Sequence, residues 1–536
     1  MTEPRNRNPI IVLLPAEQLL RELLLECAQH LPGLDIWITG GWVRDRLLGL
    51  PSSDLDLALS NMTGRAFGAF LQRFSARPDV ESKYRQRAAD LAIPDSRFTR
   101  FHVMEKNAGA AKNLETAGGK LFGLDIDLAN LRKEVYDGQS RNPRMEFGTP
   151  EEDAFRRDAT VNSLFYHLGK QEVVDLTGRG LEDLDARIMR TPLDPRRTFM
   201  DDPLRVLRLI RIGSKLSFAI DPEAMLWMRH DEVRRALDTM IKRDRINIEV
   251  FKMMNGPAPF VAFQHLFEAN LYTPVFLRLD SPLVQALQAE FPVLRETTSA
   301  PSWPTSWPRA YRLLNQLLNN ETGSVNIRRM VQSAQNAEHA WTMAAYAPLA
   351  GDRRSSPKQV IQEATTALRL PAKLSKLLEA ALTNFDAIRA IVDAVAEARP
   401  PPRRSTVGMA LRAWGPTWST QVTYVMLAQT VYDGEGHDEP SFLTGPVVAK
   451  YAAFGDFVAD RGLWDAHALR PRLDGNEILD LFGLGTGGRF LKDVLDGLVA
   501  WQFDHQHAGI EDAKAWLQEG SERLGVLLGR GAGSEG

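Results

Sequence analysis

The feature that most limits the fold of this chain is a short run at positions 54–59, Asp-Leu-Asp-Leu-Ala-Leu, in which leucine occupies every second position. Alternation with a period of two is typical of a β-strand with one buried face. Asp54 and Asp56 therefore project from the same face of the predicted strand, and the leucines project from the other. Two carboxylates this close repel each other unless a cation lies between them. Because Mg²⁺ prefers oxygen ligands and often also binds substrate phosphates, the pattern predicts a Mg²⁺ site with Asp54 and Asp56 as its ligands.

A glycine pair precedes this strand and adds a second element to the predicted site. Gly40 and Gly41 follow a predicted strand at residues 36–38 and lead into a predicted helix at residues 42–49. Glycines at such a junction let the backbone approach a triphosphate and point N–H groups at it, and Arg44 in the first helical turn can reach a phosphate. Either feature alone is common in strands and turns that have no such role. Their order within seventeen residues predicts a site of nucleotidyl transfer.

A third carboxylate on a neighbouring strand would complete this site, and two aspartates qualify. Residues 121–131 alternate as a strand does and carry Asp125 and Asp127 on one face. Asp127 is the preferred third catalytic residue because the strand has a polar exit at Arg132 beyond it. Asp125 is the alternative, and either residue could instead be an ordinary solvated strand position.

Residues 156–162 offer a second set of polar side chains. The stretch is predicted to open a helix, because the acidic residues 151–153 precede it and suit a helix N-terminus. Arg157, Asp158 and Asn162 supply a fixed cation, a carboxylate and an amide, a set that can hold a ribose and a triphosphate. The alternative is a charged helix face with ion pairs one turn apart.

Residues 202–216 combine a helix start with polar side chains at a spacing of three. Asp202 is predicted to cap this helix, with Pro203 at its first position, and Asp202, Arg205 and Arg208 then lie on one face. A carboxylate can accept from the amino group of cytosine or adenine while an arginine donates to the adjacent ring acceptor. Uracil and guanine present a carbonyl in place of that amino group. The stretch therefore has the chemistry to select nucleotides, although a helix cap with salt bridges would give the same pattern.

Together these blocks resemble the class II tRNA nucleotidyltransferases, the CCA-adding enzymes of the polymerase β superfamily, and most of all their fungal members. The resemblance covers residues 35–270. The matching blocks are GGWVRDRLLG followed by DLDLAL, KNLETA with KLFGLDIDLANLRKEVY, FGTPEEDAFRRDATVNSLFY, DLTGRGLEDL and DDPLRVLRLIR. One departure is Asp201, where many relatives have Glu.

The resemblance implies a role for each motif. Asp54 and Asp56 would be the metal-binding catalytic carboxylates, and Asp202 with Arg205 would pair with CTP and then ATP as an amino-acid template. The residues implied to contact the triphosphate and the sugar are Gly40, Gly41, Arg44, Arg157 and Asp158. The further segments it implies are a flexible loop at 106–116 needed for the switch to ATP, a hinge at 178–184 and a supporting neck helix at 243–254.

The predicted fold class is α+β. A small nucleotidyltransferase head with a mixed, polymerase β-like sheet would span residues 1–180, after which the strand patterns give way to Leu- and Ala-rich helical patterns. The all-α remainder is predicted to form a neck that selects nucleotides, a body, and a tail that binds tRNA, at residues 181–270, 271–400 and 401–536.

The composition of the chain limits which partners it can bind and which cellular compartment it suits. The chain has 536 residues and a net charge of −3, so a nucleic-acid partner would have to bind a local basic surface. Its one cysteine, Cys27, cannot form an internal disulfide, which fits an intracellular compartment such as the cytoplasm, nucleus or mitochondrion. No apolar run is long enough to predict a membrane span. We expect a monomer whose partners are the 3′ end of tRNA, CTP and ATP, with Mg²⁺ as cofactor.

The predicted function is the template-independent addition of CCA to the 3′ end of tRNA. One alternative is a poly(A) polymerase of the same superfamily, which shares the head motifs. Another is a catalytically inactive RNA-binding protein, although the intact Asp54 and Asp56 pair argues against it.

Overall fold

The computed structural model describes residues 9–93, 99–104, 116–135, 144–290, 306–319, 324–333, 337–351, 356–432 and 445–520. The chain divides into two compact units, residues 1–241 and 242–536. Within the described ranges every strand belongs to the first unit, and the second is helical. The predicted α+β class is confirmed. The unit boundary falls inside the range predicted as a neck, and the four-part division of the chain stays a prediction.

A mixed sheet forms the centre of the first unit. The strands in chain order are β1 Ile36–Thr39, β2 Asp54–Leu59, β3 Thr99–Met104, β4 Thr116–Leu121, β5 Leu124–Asn130, β6 Arg132–Val135, β7 Arg144–Phe147, β8 Leu164–His167, β9 Glu172–Asp175, β10 Ile188–Met189 and β11 Ala219–Ile220. Seven of them form one sheet in the order β3-β4-β5-β2-β1-β8-β9. β2 lies at its middle, antiparallel to β1 and parallel to β5. The predicted strands at residues 36–38 and 54–59 are confirmed.

Helices cover this sheet and continue beyond it. Those of the first unit are α1 Pro15–Ala28, α2 Gly41–Leu47, α3 Gly64–Ser75, α4 Pro78–Asp90, α5 Pro150–Phe155, α6 Gly180–Ala186, α7 Pro195–Asp201, α8 Leu204–Leu216, α9 Pro222–Arg229 and α10 Asp231–Met240. α3 begins where the Thr63 hydroxyl accepts from the Ala66 N–H, a standard N-cap. Its first residue, Gly64, lies against the carbonyl of Leu128 in β5, so closely that a Cβ there would fall well inside the 3.0 Å that real Cβ atoms keep. The absence of a side chain lets α3 pack directly on the strand.

The single strand predicted at residues 121–131 is wrong in its first part. β4 ends at Leu121, Phe122 and Gly123 form a turn with positive φ, and β5 runs from Leu124 to Asn130 as the second arm of a hairpin. The alternation of Asp125 and Asp127 with apolar residues belongs to β5 alone. The predicted flexible loop at 106–116 lies outside the described residues except for Thr116, which begins β4.

The helix predicted to open at Arg156 is also wrong. Thr149 and Glu152 form a capping box, and Pro150 takes the first position of α5. The helix therefore starts at Pro150 rather than at Arg156, contains the acidic residues 151–153, and ends at Phe155. Residues 156–159 follow as a turn and an extended residue, and Thr160–Asn162 form a short 3₁₀ turn.

The helix predicted at residues 202–216 is present as α8. α8 starts at Leu204, so Pro203 rather than Asp202 is its N-cap, and the predicted cap position was wrong by one residue. Asp202 is the C-cap of the preceding helix α7, and its carboxylate accepts from the Leu204 N–H at 3.2 Å. Leu204, Leu207 and Ile210 are buried and form the apolar face of this helix. Beyond α8 the chain forms two short helices, α9 and α10, separated by His230 in an extended conformation.

The second unit is built from helices around an aromatic core. They are α11 Arg243–Met254, α12 Pro259–Glu268, α13 Tyr272–Phe276, α14 Pro282–Glu290, α15 Trp307–Asn319, α16 Val325–Gln332, α17 Ala337–Tyr346, α18 Pro357–Leu368, α19 Ala372–Thr383, α20 Phe385–Glu397, α21 Arg404–Trp414, α22 Trp418–Tyr432, α23 Pro446–Asp460, α24 Gly475–Phe482, α25 Arg489–Asp504 and α26 Ile510–Glu519. Phe263 lies at the centre of this core, with ring centroids 5.1 Å from Trp341 and 5.2 Å from Trp307. The helix predicted at 243–254 is confirmed. Among the described residues, no helix has the length and apolar character needed to cross a membrane.

Candidate active site

Four aspartates lie on one face of the central sheet. In the parallel pairing of β2 with β5, Asp54 lies opposite Asp125 and Asp56 lies opposite Asp127. All four side chains are exposed, whereas the alternating leucines and isoleucine of the same strands are buried. The sheet therefore presents a carboxylate face to solvent and an apolar face to the core.

The electrostatics of this face centre on Asp56. The side chain reaches solvent but has dense protein around it, and the resulting loss of hydration raises the pKa of its carboxyl. Asp127 and Asp54 raise the pKa further, while Arg157 acts in the opposite direction without cancelling the rise. Asp125 is engaged elsewhere, with Lys120 Nζ 3.8 Å from its carboxylate. Register and charge thus group Asp54 and Asp127 with Asp56.

The glycine turn brings the backbone against this face. Gly40 has φ 76° and ψ −135°, a conformation that side chains strongly disfavour. A Cβ at Gly40 would lie 3.0 Å from Arg157 Nη1 and 3.6 Å from Asp56 Oδ2. A Cβ at Gly41 would lie 3.4 Å from Arg44 Nη2, so the Arg44 guanidinium folds back over the turn. The turn therefore gathers two arginines and a carboxylate around the buried Gly40 and the half-buried Gly41.

We expect Gly40→Ala to reduce nucleotide addition about a hundredfold and to lower the free energy of unfolding by about 1–3 kcal/mol, because the backbone is strained and Arg157 must move. Steady-state kinetics and thermal unfolding would measure the two effects. Gly49→Ala is the matched control, since Gly49 has φ 72° but open space around its Cβ position. It should lose stability and keep activity; an equal loss of activity would remove the special role of Gly40.

Asp153 anchors the two adjacent arginines. It is buried and accepts from Arg157 Nε and Nη2 at 3.1 and 2.8 Å and from Arg156 Nε at 3.0 Å. Burial favours a higher pKa for this carboxyl, but the two guanidinium groups outweigh it and the pKa is lowered. Arg157 also lies over the ring of Phe165, 5.0 Å from its centroid. Arg157 is thus fixed beside Gly40 by a carboxylate that the sequence analysis had assigned only to a helix N-terminus.

Asp158 and Asn162 lie behind the turn rather than on its surface. Both are 6% exposed. Asp158 accepts from Asn162 Nδ2 at 2.8 Å and from Arg208 Nε at 2.7 Å, and Asn162 Oδ1 accepts from Arg44 Nη1. Burial works against ionisation of Asp158, yet Arg208 and Asn162 hold its pKa well below the ordinary value. The structure therefore links these two predicted nucleotide-binding residues to Arg44 and Arg208.

Arg205 connects the start of α8 to helix α7 and to the turn that follows α5. It is 7% exposed and donates to the carbonyl oxygen of Thr198 at 3.1 Å and to that of Arg156 at 2.7 Å. Asp202 is half-buried between α7 and α8, and its carboxylate accepts from the Leu204 N–H. The structure thus brings the predicted base-selecting stretch and the predicted sugar- and phosphate-binding stretch together.

A buried glutamate that the sequence analysis gave no role supports the glycine turn. Glu17 in α1 is 2% exposed, accepts from the Trp42 indole N–H at 3.1 Å and from the Leu14 N–H at 2.7 Å, and pairs with Arg46 at 3.3 Å. Trp42 and Arg46 both belong to α2, so Glu17 fixes the helix that carries Arg44. The available signal was an acidic residue on an otherwise apolar helix face, together with Pro15 at the helix start.

The carboxylate face fits a divalent cation that also binds substrate. Among the described residues no group of three or more His, Cys, Asp or Glu side chains is arranged to hold a metal ion by itself. Mg²⁺ commonly takes one or two carboxylates and completes its coordination with water and phosphate oxygens. The crowding of negative charge around Asp56, which raises its pKa, is the environment that such a cation would relieve.

Comparisons with known proteins agree with this geometry. Residues 36–190 match the family described as the poly A polymerase head domain. The chain is 34% identical over 539 residues to the nucleotidyltransferase lcsQ of Purpureocillium lilacinum, covering 91% of this chain and 88% of that protein. It is 32% identical over 491 residues to the mitochondrial CCA tRNA nucleotidyltransferase of Saccharomyces cerevisiae, covering 88% and 85%. Its fold is similar to that of a CCA-adding enzyme solved in an apo form, with TM-score 0.63, 18% identity and coverage of 95% and 96%.

A head with this sheet and this carboxylate face defines a nucleotidyltransferase. The identity to full-length relatives is more specific, and the chain belongs to the class II tRNA nucleotidyltransferases, the CCA-adding enzymes of the polymerase β superfamily. The resemblance that the sequence motifs indicated is thereby confirmed.

Proposed function

We propose that this protein adds the CCA sequence to the 3′ end of tRNA without a nucleic-acid template, using CTP and ATP. The observation that carries the proposal is the grouping of Asp54, Asp56 and Asp127 beside the Gly40 turn and Arg157, in a chain that matches a CCA tRNA nucleotidyltransferase along most of its length. The 3′ oxygen of tRNA attacks the α-phosphate of the nucleotide, a P–O bond forms, and pyrophosphate leaves.

The roles of the residues follow from their charge and position. Asp54 and Asp56 hold Mg²⁺, which when bound lowers the pKa of the attacking hydroxyl and offsets negative charge on the phosphates. The backbone N–H groups at Gly41 and the start of α2 bind the triphosphate, supported by the guanidinium groups of Arg44 and Arg157. Asp127 completes the carboxylate set from the neighbouring strand.

The start of α8 selects the nucleotide in this proposal. Asp202 accepts from the amino group of cytosine or adenine, and Arg205 donates to the ring acceptor beside it. The bonds from Arg205 to two carbonyl groups support this role, because they restrict the orientation of the guanidinium. Arg208 belongs to the same helix and contributes through its hydrogen bond to Asp158.

The two candidates for the third carboxylate provide a matched pair of variants. We expect Asp127→Asn to reduce nucleotide addition by roughly a hundredfold or more, because a charge is lost next to Asp56. Asp125→Asn removes an equal charge from the same face, beside Lys120, and should change the rate less than about threefold. Single-turnover assays at saturating Mg²⁺ would compare them, and the reverse order would transfer the role to Asp125.

A gel assay tests the function. The substrate is tRNA lacking CCA, offered each nucleotide alone and then CTP with ATP, in Mg²⁺. Two additions with CTP alone and a single further addition with ATP are expected. A long ladder with ATP alone would make the protein a poly(A) polymerase, an alternative that the description of its head family favours. No extension with any nucleotide would favour the inactive RNA-binding protein.

The remaining assignments extend this proposal to the whole chain. We assign nucleotide transfer to a head at residues 1–180 and nucleotide selection to a neck at 181–270. The acceptor arm of tRNA would be bound by a body and a tail at 271–400 and 401–536, mainly through phosphate contacts and the shape of A-form RNA. We further propose a monomer that acts in mitochondria, the compartment named for the yeast relative, with the cytoplasm and nucleus as further sites.

A further inference from the structure

Four side chains form a continuous hydrogen-bonded path through the first unit. Arg44 of α2 donates through Nη1 to Asn162 Oδ1. Asn162 donates through Nδ2 to Asp158 Oδ1 at 2.8 Å, and Arg208 of α8 donates through Nε to Asp158 Oδ2 at 2.7 Å. We refer to these four residues as the Arg44–Arg208 relay. It joins the helix that follows the glycine turn to the helix that carries the predicted base-selecting residues.

Asn162 is the neutral member of the relay, and chemistry fixes the orientation of its amide. An arginine offers only donors, and an ionised carboxylate only accepts. The amide oxygen must therefore face Arg44 and the amide nitrogen must face Asp158. The opposite orientation would place donor against donor and acceptor against acceptor. An apolar side chain would satisfy neither neighbour, and an acidic side chain would satisfy only Arg44.

Burial makes the members of the relay depend on one another. Arg44 is 5% exposed, and Asp158 and Asn162 are 6% exposed. Asp158 is ionised at neutral pH because Arg208 and Asn162 lower its pKa against the effect of burial. A buried charge that loses one hydrogen bond cannot replace it with bulk water. Removal of any one bond should therefore shift the neighbouring side chains.

The two ends of the relay lie at different parts of the proposed nucleotide site. The Arg44 guanidinium lies over Gly41, where the triphosphate is proposed to bind. Arg208 is one helical turn beyond Arg205 on α8. A second connection runs beside the relay, because Asp45 pairs with Arg44 at 2.6 Å and lies 3.9 Å from Lys215 Nζ, also on α8.

We propose that Asn162 is a positioning residue that couples the phosphate end of the nucleotide site to helix α8. It holds Arg44 and Asp158 in fixed relative positions, so that a movement of Arg208 is transmitted to Arg44. This differs from the direct nucleotide contact that the sequence predicted for Asn162. The inference rests on the proposed function in one respect, that Arg44 contacts the triphosphate.

The test measures binding of inorganic tripolyphosphate to the full-length protein by calorimetry, without tRNA or nucleotide. We expect Arg208→Ala to weaken this binding about three- to tenfold, because Asp158 loses its partner and the loosened relay releases Arg44. In an Asn162→Ala background the same Arg208→Ala change should alter the affinity by less than about 1.5-fold, because the path is already broken.

Two control variants separate this coupling from simpler effects. Arg208→Lys keeps the positive charge but loses the Nε–H that binds Asp158, so it should resemble Arg208→Ala if the relay acts. Ser163→Ala removes a hydroxyl that donates to the carbonyl groups of Ala154 and Ala159, next to Asn162 but outside the relay. In the Ser163→Ala background the full effect of Arg208→Ala should persist. If Asn162→Ala does not fold by circular dichroism, Asn162→Asp takes its place, since it retains an acceptor for Arg44 but repels Asp158.

Three results would overturn the proposal. One is an equal effect of Arg208→Ala in the wild-type and Asn162 backgrounds, which would mean direct attraction between Arg208 and the anion. Another is wild-type affinity in Arg208→Lys, and the third is no tripolyphosphate binding by the wild type. Failure of the proposed function would look different, because the wild type would then fail to add C, C and A in the gel assay while the tripolyphosphate measurements kept their meaning.

Discussion

Replacing Asp56 with asparagine is expected to reduce nucleotide addition by roughly a thousandfold or more and, at the same time, to raise the Tm of the protein measured without divalent cations. The first effect follows from loss of a charged metal ligand. The second follows from the raised pKa of Asp56, since the loss of hydration near the surrounding protein and the charges of Asp127 and Asp54 all disfavour its ionised form in the folded state. Asparagine has nearly the same shape and carries no charge.

The size of the stability effect depends on pH, and its sign does not change. A carboxyl whose pKa is higher in the folded protein binds its proton more tightly there, so the stability linked to it declines as pH rises from the ordinary value of 3.8 through the raised value. The Tm advantage of Asp56→Asn should therefore be absent in strong acid and present at neutral pH. Thermal unfolding across this pH range would measure it.

Addition of Mg²⁺ provides a second measurement on the same variant. Mg²⁺ should raise the Tm of the wild type more than that of Asp56→Asn, since a ligand stabilises the state that binds it. Asp35→Asn is a suitable control, because Asp35 is a well-exposed carboxylate near His167 and away from the carboxylate face. A lower Tm for Asp56→Asn than for the wild type would contradict the electrostatic account of this site.

For Arg205→Ala we expect the preference for CTP over UTP, as a ratio of kcat/KM, to fall about a hundredfold, with little change in the affinity for tRNA. Arg205 is buried and bound to the carbonyl groups of Thr198 and Arg156, so its loss removes both a donor to the base and the support of that donor. Arg205→Lys should not restore selectivity, because the ammonium group lacks the planar, multiple donors that reach both carbonyls.

The control for this variant is Arg211→Ala, a half-buried arginine further along the same helix. It should leave the CTP to UTP ratio within about twofold of the wild type. Unchanged selectivity in Arg205→Ala would remove Arg205 from the proposed template. A large loss of tRNA affinity in the same variant would instead indicate that α8 supports the RNA-binding surface.

The strand and the turn that carry the candidate site were predicted correctly because both have local signals in the sequence. The alternation at residues 54–59 marks β2 because strand periodicity is a property of neighbouring residues. The position of Gly40 between a strand and a helix marks the turn for the same reason. The choice between Asp125 and Asp127 could not be made in this way, because it depends on the register between β2 and β5, which are distant in the chain.

The parts that were missed depend on partners that the sequence does not bring together. Asp153 was taken as one of three acids at a helix start, and its burial beneath Arg156 and Arg157 follows from where α5 ends. Asp158 and Asn162 carried the chemistry of ligand-binding residues, and only the packing of α2 and α8 around them shows that their polar groups bind other side chains. The error at Arg156 came from giving the acidic residues more weight than the capping box at Thr149.

Gly64 shows that a residue with no role in the chemical step can still determine the position of a candidate catalytic side chain. Its backbone lies against the carbonyl of Leu128, the residue that follows Asp127 in β5. Any side chain at position 64 would force that part of the strand, next to Asp127, to shift. In a survey that scores every substitution by activity, Gly64 would therefore rank with the aspartates themselves. A harmful variant at this position would be mistaken for a defect of catalysis, although its cause is a packing constraint on the buried side of the sheet.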